Sequence, residues 1–355
     1  MPCTWEFIGG GSSARGSVEK TRLVGYTIRR RKSPPACPEL ASVRGDCAVV
    51  IIFKRKSFWR LKGERMRGPG KLSRLIADPE SSGSLRGEIW VSADVLAQGG
   101  FAQGPRGRVD LALSLGADIC FFPWPGSAAV ADLREMAELA HLAGLDCGLT
   151  IDGPFQRLAS AGNVLDVFLE LGRDLAGFRR RLDREMEEII KFLDLVGEAG
   201  IGLVVIGDDV GYAGGLYFSP EVFRSHLLPF YRLAVGRLSS EGIAAGWHSD
   251  GSVAPILPDL VQCGFRFFSL EPECVDLLGF KRANGPRISL IGGIRAEWLI
   301  TEEPGPEQQI RWRNEIDSLA GEGGLIVGSC CGIHSPLFLS RLRRLYRLFD
   351  GKDQV

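Results

Sequence analysis

Residues 243–251 have the sequence Ile-Ala-Ala-Gly-Trp-His-Ser-Asp-Gly, in which an apolar run passes directly into a polar segment. The apolar part, residues 243–247, predicts a buried strand, and the polar part predicts the loop at its end. His248 and Asp250 are two residues apart, so on a strand their side chains point to the same face. A histidine binds metals or carries protons near neutral pH, and an aspartate can orient it or share a metal with it. The alternative is a polar turn that caps the next helix.

Apolar segments of the same kind recur on both sides of this one. We expect strands at residues 88–93, 117–122, 145–151, 202–206, 243–247, 265–270, 288–291 and 325–328. Helical patterns lie between and after them, at residues 108–115, 129–143, 163–199, 220–238, 253–263, 275–283, 306–320 and 337–349. Apolar strands that alternate with helices indicate βαβ units and a parallel sheet buried on both faces. About eight such units over roughly 265 residues predict a TIM (β/α)8 barrel, for which ~250 residues are typical.

A doubly wound open sheet is the alternative architecture. No predicted strand is followed by Gly-x-Gly-x-x-Gly or by a P-loop sequence, the loops that cradle nucleotide phosphates in such sheets. A barrel also explains why polar residues directly follow several strands, because all the strand C-termini of a barrel meet at one mouth. These residues are Asp152, Asp208, Asp209, His248, Asp250, Glu271, Cys330 and Cys331.

The first 80 residues differ in composition from the rest of the 355-residue chain. They contain 17 Lys and Arg residues against 7 Asp and Glu residues, together with Gly/Ser-rich and Pro-containing stretches. We predict a basic, poorly ordered extension over residues 1–80 and a single barrel domain over residues 81–355. A tail that binds nucleic acid or anionic lipid is the alternative, but no fold motif accompanies the charge.

The composition of the whole chain limits its class. Forty-three basic and 43 acidic residues cancel, so we expect no nucleic-acid partner. No apolar run approaches the ~20 residues of a membrane span, and no secretory leader is recognisable. Nine scattered cysteines without a Cys-x-x-Cys pair predict a reduced, cytoplasmic protein with free thiols. The sequence leaves the oligomeric state open.

The predicted mouth combines one imidazole, two carboxylates and two thiols from His248, Asp250, Glu271, Cys330 and Cys331. A catalytic zinc takes three such ligands and leaves the fourth position for substrate. A thiol substrate bound there would be held as the nucleophilic thiolate, which predicts methyl transfer to sulfur. The alternatives are structural, because buried cysteines pack as small hydrophobes and a carboxylate at a loop often caps a turn.

Asp208 and Asp209 are a second candidate pair, because they follow the very apolar predicted strand at residues 202–206. A carboxylate at the mouth could bind a cation, orient a substrate hydroxyl or act as a general base. Its alternative role is to cap the glycine-rich loop at residues 211–215.

Five short motifs occur in an order that resembles the uroporphyrinogen decarboxylase superfamily. They are Gly-Asp-Asp at 207–209, Leu-Tyr-Phe-Ser-Pro-Glu-Val-Phe at 216–223, His-Ser-Asp-Gly at 248–251, Gly-Gly-Ile at 292–294 and Cys-Gly-Ile at 331–333. The superfamily contains the decarboxylases of haem synthesis and the zinc-dependent methyltransferases that work with corrinoid proteins. The resemblance covers roughly residues 85–350 and implies a TIM barrel with its site at the strand C-termini.

The zinc methyltransferases bind their metal through a His-x-Cys pair and a later cysteine in a Cys-Gly loop. His248 matches the histidine and Cys331 the later cysteine, whereas Asp250 stands in place of the middle cysteine. Aspartate is a harder ligand than thiolate, which changes zinc affinity and the reactivity of a bound thiol. The resemblance therefore implies a zinc ion held by His248, Cys331 and Asp250, with Glu271 as the alternative to Asp250.

The same resemblance implies the remaining roles. Asp209, Asp250 and Glu271 are the expected catalytic residues. The residues expected to contact a small-molecule substrate are Asp208, Tyr217 and Arg295. A methyl group would move between a corrinoid carried by a partner protein and a small acceptor or donor.

Two other functions stay open at this point. The first is decarboxylation of a tetrapyrrole in porphyrin metabolism, which needs arginines at the mouth for the substrate carboxylates. The decarboxylases have a Gln-Ala-Gly-Arg element near the N-terminus, which this chain lacks, and Arg295 is one of few candidates for the task. The second is a non-catalytic barrel that binds a corrinoid or a partner protein, with the basic extension as its docking arm.

Overall fold

The computed structural model describes residues 70–124, 130–160 and 164–350, and this part of the chain forms a barrel of eight parallel strands. The described residues contain ten strands, eight of the barrel and two of a separate hairpin. They are β1 (Leu85–Arg86), β2 (Ile119–Pro123), β3 (Asp146–Asp152), β4 (Leu203–Gly207), β5 (Gly211–Tyr212), β6 (Gly215–Leu216), β7 (Ala244–Ser249), β8 (Phe267–Leu270), β9 (Ser289–Ile294) and β10 (Leu325–Ser329). The barrel order is β1-β10-β9-β8-β7-β4-β3-β2, and β5 with β6 forms a separate antiparallel hairpin. Asp118 N donates to Arg86 O at 2.9 Å between β1 and β2, which brings the barrel close to closure.

Helices surround the strands. They are α1 (Lys71–Ala77), α2 (Ala93–Gln98), α3 (Pro105–Ser114), α4 (Val130–Leu142), α5 (Pro154–Ser160), α6 (Val164–Arg173), α7 (Leu175–Val196), α8 (Pro220–Val222), α9 (Leu228–Ser240), α10 (Leu257–Cys263), α11 (Leu277–Asn284), α12 (Ala296–Ile300), α13 (Pro306–Gly321) and α14 (Pro336–Phe349). A π-helical turn at Phe223–Leu227 joins α8 to α9, and 3₁₀ turns lie at Ala254–Ile256 and Gly285–Arg287. None of the helices in the described ranges is long and apolar enough to cross a bilayer.

The predicted TIM barrel is confirmed, with one strand in a different place. The prediction put the first strand at residues 88–93, but β1 ends at Arg86. Glu88 leaves the strand path because its buried carboxylate accepts hydrogen bonds from Ser329 N at 3.0 Å and from the Tyr346 hydroxyl at 2.5 Å. Beyond it the chain runs beside the loop after β10, where Val91 forms a single bridge with Ile333.

Successive strand residues alternate between two apolar clusters, as the pleat of a strand requires. Val204 and Ile206 face outward and pack in the large cluster between the strands and the helices. Leu203 and Val205 face inward and belong to the interior cluster. The interior cluster consists of Leu72, Leu75, Leu85, Ile89, Ile119, Phe121, Leu203, Val205, Ala244, Phe267, Ile291 and Ile326.

Two inward-facing glycines make room for the aromatic rings of the interior cluster. A Cβ atom on Gly148 would lie 2.5 Å from the ring of Phe121, closer than real contacts allow. A Cβ on Gly246 would lie 3.0 Å from Val205 and 3.3 Å from Phe267. The barrel is therefore filled by a few large side chains set against glycine backbone.

The helix α1 closes the barrel at the end opposite the strand C-termini. Its Leu72 and Leu75 are buried in the interior cluster. Leu72 N donates to Asp146 Oδ2 at 2.8 Å, and Lys71 pairs with Asp118, which ties α1 to the starts of β2 and β3. This helix lies within the segment predicted as an extension. The prediction for residues 1–69 lies outside the described residues.

Candidate metal centre

The strand β7 carries His248 toward the mouth of the barrel. His248 is four residues beyond Ala244, so it continues the inward-facing side that Ala244 begins in the interior cluster. In the sheet register it lies between Gly207 of β4 and Ser269 of β8. The imidazole is half-buried at this position.

Ser269 fixes the orientation of the His248 ring. His248 Nδ1 lies 3.1 Å from the Ser269 carbonyl oxygen and 3.0 Å from its Oγ. A carbonyl oxygen only accepts hydrogen bonds, so Nδ1 donates to it and Nε2 is the nitrogen that faces the two neighbouring carboxylates. Ser269 is not among the predicted site residues. A serine two residues after Phe267, on the inward side of an apolar strand, was the available signal.

Two carboxylates converge on His248 Nε2. Asp209 Oδ1 lies 3.8 Å and Asp250 Oδ1 lies 3.7 Å from that nitrogen. Ligand atoms of all three residues lie within 4.8 Å of one another, and in the described part of the chain theirs is the one such group of three. The backbone N of Asp250 donates to Asp209 Oδ1 at 3.1 Å, which holds the two loops together.

This donor set fits a divalent metal ion. Zinc accepts imidazole nitrogen and carboxylate oxygen as ligands, and a ring nitrogen fixed by an outer hydrogen bond is the usual arrangement around a bound metal. Burial raises the pKa of Asp250 to about 6, and the carboxylates of Asp209, Glu271 and Glu273 add to the rise, while His248 opposes it. The cluster thus concentrates negative charge that a cation would neutralise.

Glu271 supports the loop that carries Asp250. Its Oε2 accepts hydrogen bonds from Gly251 N at 2.9 Å and from the Cys274 thiol at 3.4 Å. Gly251 has a φ of +82°, a conformation that a side chain disfavours, so this glycine is needed for the turn. A catalytic role for Glu271 stays a prediction. In this structure its carboxylate stabilises the loop that carries Asp250.

Asp208, predicted to contact substrate, is fully buried. Its Oδ1 accepts a hydrogen bond from Gln156 N at 2.6 Å in the first turn of α5, and its Oδ2 accepts one from the Tyr231 hydroxyl at 2.6 Å. Burial raises its pKa to about 7, against the effect of these hydrogen bonds. Both oxygens are thus engaged within the protein, and the substrate contact stays a prediction.

Cys331 is not a member of the group of three mutually close donors. It is partly buried in the loop after β10, where its thiol donates to Gly332 O at 3.6 Å. His334 Nε2 hydrogen-bonds the Cys331 carbonyl oxygen at 2.8 Å. Cys330 beside it is buried. The assignment of Cys331 as a metal ligand stays a prediction, and Asp209 is the third member of the observed group.

The remaining two candidates lie on different sides of the mouth. Arg295, at the end of β9, pairs with Glu315 at 2.6 Å and with Glu273 at 3.8 Å, so its charge is largely compensated. Tyr217 follows the hairpin β5–β6, with its ring stacked on that of Tyr212 at 5.5 Å between centroids. Contact of either residue with substrate stays a prediction.

The fold and this group of residues define the class of the protein: a TIM barrel with a histidine–carboxylate cluster at its C-terminal mouth. The family model for uroporphyrinogen decarboxylase (URO-D) matches residues 148–349, more than half of the chain. The chain belongs to the uroporphyrinogen decarboxylase family. The matched segment includes β4 and β7 to β10, and with them Asp209, His248 and Asp250.

Curated relatives match over a shorter length. The methylcobamide:CoM methyltransferase MtaA of Methanosarcina barkeri is 29% identical over 174 residues, which are 49% of this chain and 48% of that protein. The MtaA of M. barkeri strain Fusaro is similar to the same extent. The match thus spans about half the length of these relatives. A solved methyltransferase structure from Methanosarcina mazei shares the fold, with a TM-score of 0.59 and 19% identity over 80% of this chain and 99% of that one.

Proposed function

We propose that this protein is a metal-dependent methyltransferase that moves a methyl group between a corrinoid protein and a small thiol. The observation that carries the proposal is the convergence of Asp209, His248 and Asp250 on one point at the barrel mouth. The similarity to the two MtaA proteins supports the reaction type. The corrinoid partner, zinc as the metal and a cytoplasmic location are parts of this proposal.

The residues of the chain have separate tasks in this reaction. Ser269 holds the His248 ring so that Nε2 faces the centre. Asp209 and Asp250 supply two anionic oxygens, and the hydrogen bond between Asp250 N and Asp209 Oδ1 sets their spacing. A bound zinc ion would lower the pKa of a thiol so that it is present as thiolate at neutral pH. The half-buried position of His248 limits the access of water to that thiolate.

Metal content tests the proposal. Purified protein is reconstituted with zinc, and bound metal is measured by elemental analysis for the wild type, His248→Ala and His141→Ala. His141 is exposed near the end of α4, away from the mouth, and serves as the control histidine. We expect close to one zinc per chain in the wild type and in His141→Ala, and a large loss in His248→Ala. Equal zinc in all three proteins would contradict the proposed centre.

A second pair of variants decides which residues complete the metal shell. Asp209→Asn should lose zinc, because an amide is a weaker ligand than a carboxylate. Cys331→Ala should keep it, since Cys331 is not a member of the observed group. The reverse result would support the ligand set implied by the resemblance to the zinc methyltransferases. Methyl transfer from methylcobalamin to a small thiol, measured with the zinc-loaded wild type, then tests the reaction itself.

A further inference from the structure

A row of four aromatic rings stands beside the metal centre. This aromatic wall consists of Phe155, Phe168, Tyr212 and Tyr217. Ring centroids are 5.9 Å apart between Phe155 and Phe168, 5.0 Å between Phe168 and Tyr217, and 5.5 Å between Tyr217 and Tyr212. The two tyrosines are 51% and 41% exposed, which is unusual for large side chains packed in a cluster. Their rings therefore offer aromatic surface to a ligand.

Backbone contacts fix this wall next to the metal centre. The hairpin β5–β6 begins two residues after Asp209, and Ser252 N, close after Asp250, donates to Tyr212 O at 2.9 Å. A Cβ atom on Gly251 would lie 2.3 Å from Tyr212 N, so the two loops are in direct contact. Burial raises the pKa of the Tyr217 hydroxyl, and the negative charges of Asp209 and Asp250 raise it further.

The charges around the wall are mainly negative. Asp152 lies at the end of β3, where burial raises its pKa, Arg157 opposes the rise and Asp209 adds to it. Glu271 and Glu273 both act on Asp250. The two arginines nearby are already paired, Arg157 with Glu185 at 2.6 Å and Arg295 with Glu315 and Glu273. A divalent metal would balance Asp209 and Asp250, and Arg295 pairs with Glu273. Glu271 forms no ion pair within the described residues and stays a source of negative charge beside the Asp250 loop.

We infer that the small acceptor is a thiol that carries an ammonium group, with its sulfur at the metal centre and its cationic nitrogen against Tyr212 and Tyr217. Aromatic faces attract cations through their quadrupole, and they are the usual recognition surface for methylated ammonium groups. Glu271 accepts a hydrogen bond from Gly251 N at 2.9 Å, next to the backbone of Tyr212, and adds Coulombic attraction there. This inference rests on the proposed function, because the thiol is placed by the metal centre.

Atoms and electrons balance in this methyl transfer when a methylated corrinoid is the co-reactant. The thiol loses its proton to solvent, and the thiolate sulfur attacks the methyl carbon. The carbon–sulfur bond forms while the carbon–cobalt bond breaks, and the electron pair of that bond stays on cobalt. The products are the methyl thioether, with its ammonium group unchanged, and the corrinoid reduced from Co(III) to Co(I).

Binding of three matched thiols to the zinc-loaded protein tests the inference by calorimetry. The cation is 2-mercaptoethyl-trimethylammonium, whose nitrogen has no lone pair to compete for zinc. The neutral isostere is 3,3-dimethylbutane-1-thiol, and the anion is 2-mercaptoethanesulfonate. We expect the cation to bind about tenfold more tightly than the isostere, with the anion weakest. Equal binding of cation and isostere, tighter binding of the anion, or no binding of any thiol would overturn the inference.

A pair of variants assigns the preference to the aromatic wall. Tyr212→Leu removes an exposed ring and should weaken binding of the cation about threefold, with little change for the isostere. Tyr212→Phe keeps the ring face and should bind like the wild type. Loss of cation binding in both variants, or in neither, would remove the wall from the recognition of the ammonium group and overturn this part of the inference.

Failure of the proposed function gives a different result. If the cation binds most tightly but methylcobalamin methylates none of the three thiols, methyl transfer is contradicted while cation recognition stands. If methyl transfer occurs and the anionic thiol is the preferred acceptor, the proposed function stands and the cationic substrate class is wrong.

Discussion

The interior cluster and the mouth of this barrel are built by the same strands, a few residues apart, and they have opposite chemistry. β7 contributes Ala244 to the interior cluster and His248 to the mouth, and β4 contributes Val205 and then leads into Asp209. The interior cluster is apolar and closed by α1, whereas the mouth carries partly exposed charges within 4 Å of one another. Each strand thus divides into a part that stabilises the fold and an end that holds the site.

The stability supplied by the interior cluster explains how the fold tolerates several carboxylates close together at the mouth. Carboxylates that face one another cost folding free energy, since burial and like charges both disfavour ionisation. The interior cluster supplies the opposing stabilisation, because each buried large apolar side chain contributes about 1.5–3 kcal/mol. Substitutions in the two regions should therefore affect different measurements.

The largest expected effect is on stability, in the interior cluster. Phe267→Ala leaves a cavity between β7 and β9, and should lower the free energy of unfolding by about 3–5 kcal/mol in urea denaturation of the metal-free protein. His248→Ala, on the next strand but at the mouth, should change it by less than about 1 kcal/mol. A similar loss in both variants would show that the two regions are not separate.

The next effect is on metal affinity, through a residue that does not touch the metal. Ser269→Ala removes the hydroxyl that His248 Nδ1 contacts at 3.0 Å, and should weaken zinc binding by about 10–100-fold. Ser289→Ala is the control, because Ser289 is also a buried serine but lies at the start of β9, the end of the barrel opposite the mouth. Competition with a chromophoric chelator measures both affinities. Equal affinities would mean that the Ser269 carbonyl alone orients the ring.

The smallest effect concerns a buried carboxylate outside the candidate metal centre. Burial raises the pKa of Glu88 above its ordinary 4.5, against the hydrogen bonds from Ser329 and Tyr346. The folded state therefore binds this proton more tightly than the unfolded state, and stability falls as the pH rises above about 4.5, by at most ~1.4 kcal/mol per pH unit. The fall ends above the pKa of the folded state.

Glu88→Gln tests this pH dependence, because the amide keeps the shape of the side chain without titrating. We expect a flatter plot of unfolding free energy against pH for the variant than for the wild type, from urea denaturation at several pH values. Parallel plots would show that Glu88 is ionised at no net cost in the folded protein.

The sequence predicts most of the barrel because most of its strands are locally distinct. The apolar run at residues 202–206 differs from β4 by one residue at each end. The first strand was misplaced because its end depends on Glu88 and Ser329, which are 241 residues apart. The short helices α1, α2, α5 and α12 and the hairpin β5–β6 were not predicted, since their periodicity extends over too few residues.

The candidate site was predicted in part for a similar reason. The spacing of His248 and Asp250 is a local signal, and the pair does come together at the mouth. Asp209 was expected there as a catalytic group, but its place beside His248 Nε2 depends on the pairing of β4 with β7. Ser269 and the aromatic wall depend on contacts between separate elements, which no single stretch of sequence shows.

The position of α1 has a consequence for producing shortened forms of this protein. Composition suggests residue 81 as a starting point, but a fragment that begins there would lack Leu72 and Leu75. Water would then reach the apolar end of the barrel, and neighbouring copies could associate through it. A fragment that starts at Gly70 keeps the helix and should stay monodisperse at concentrations where the shorter fragment precipitates.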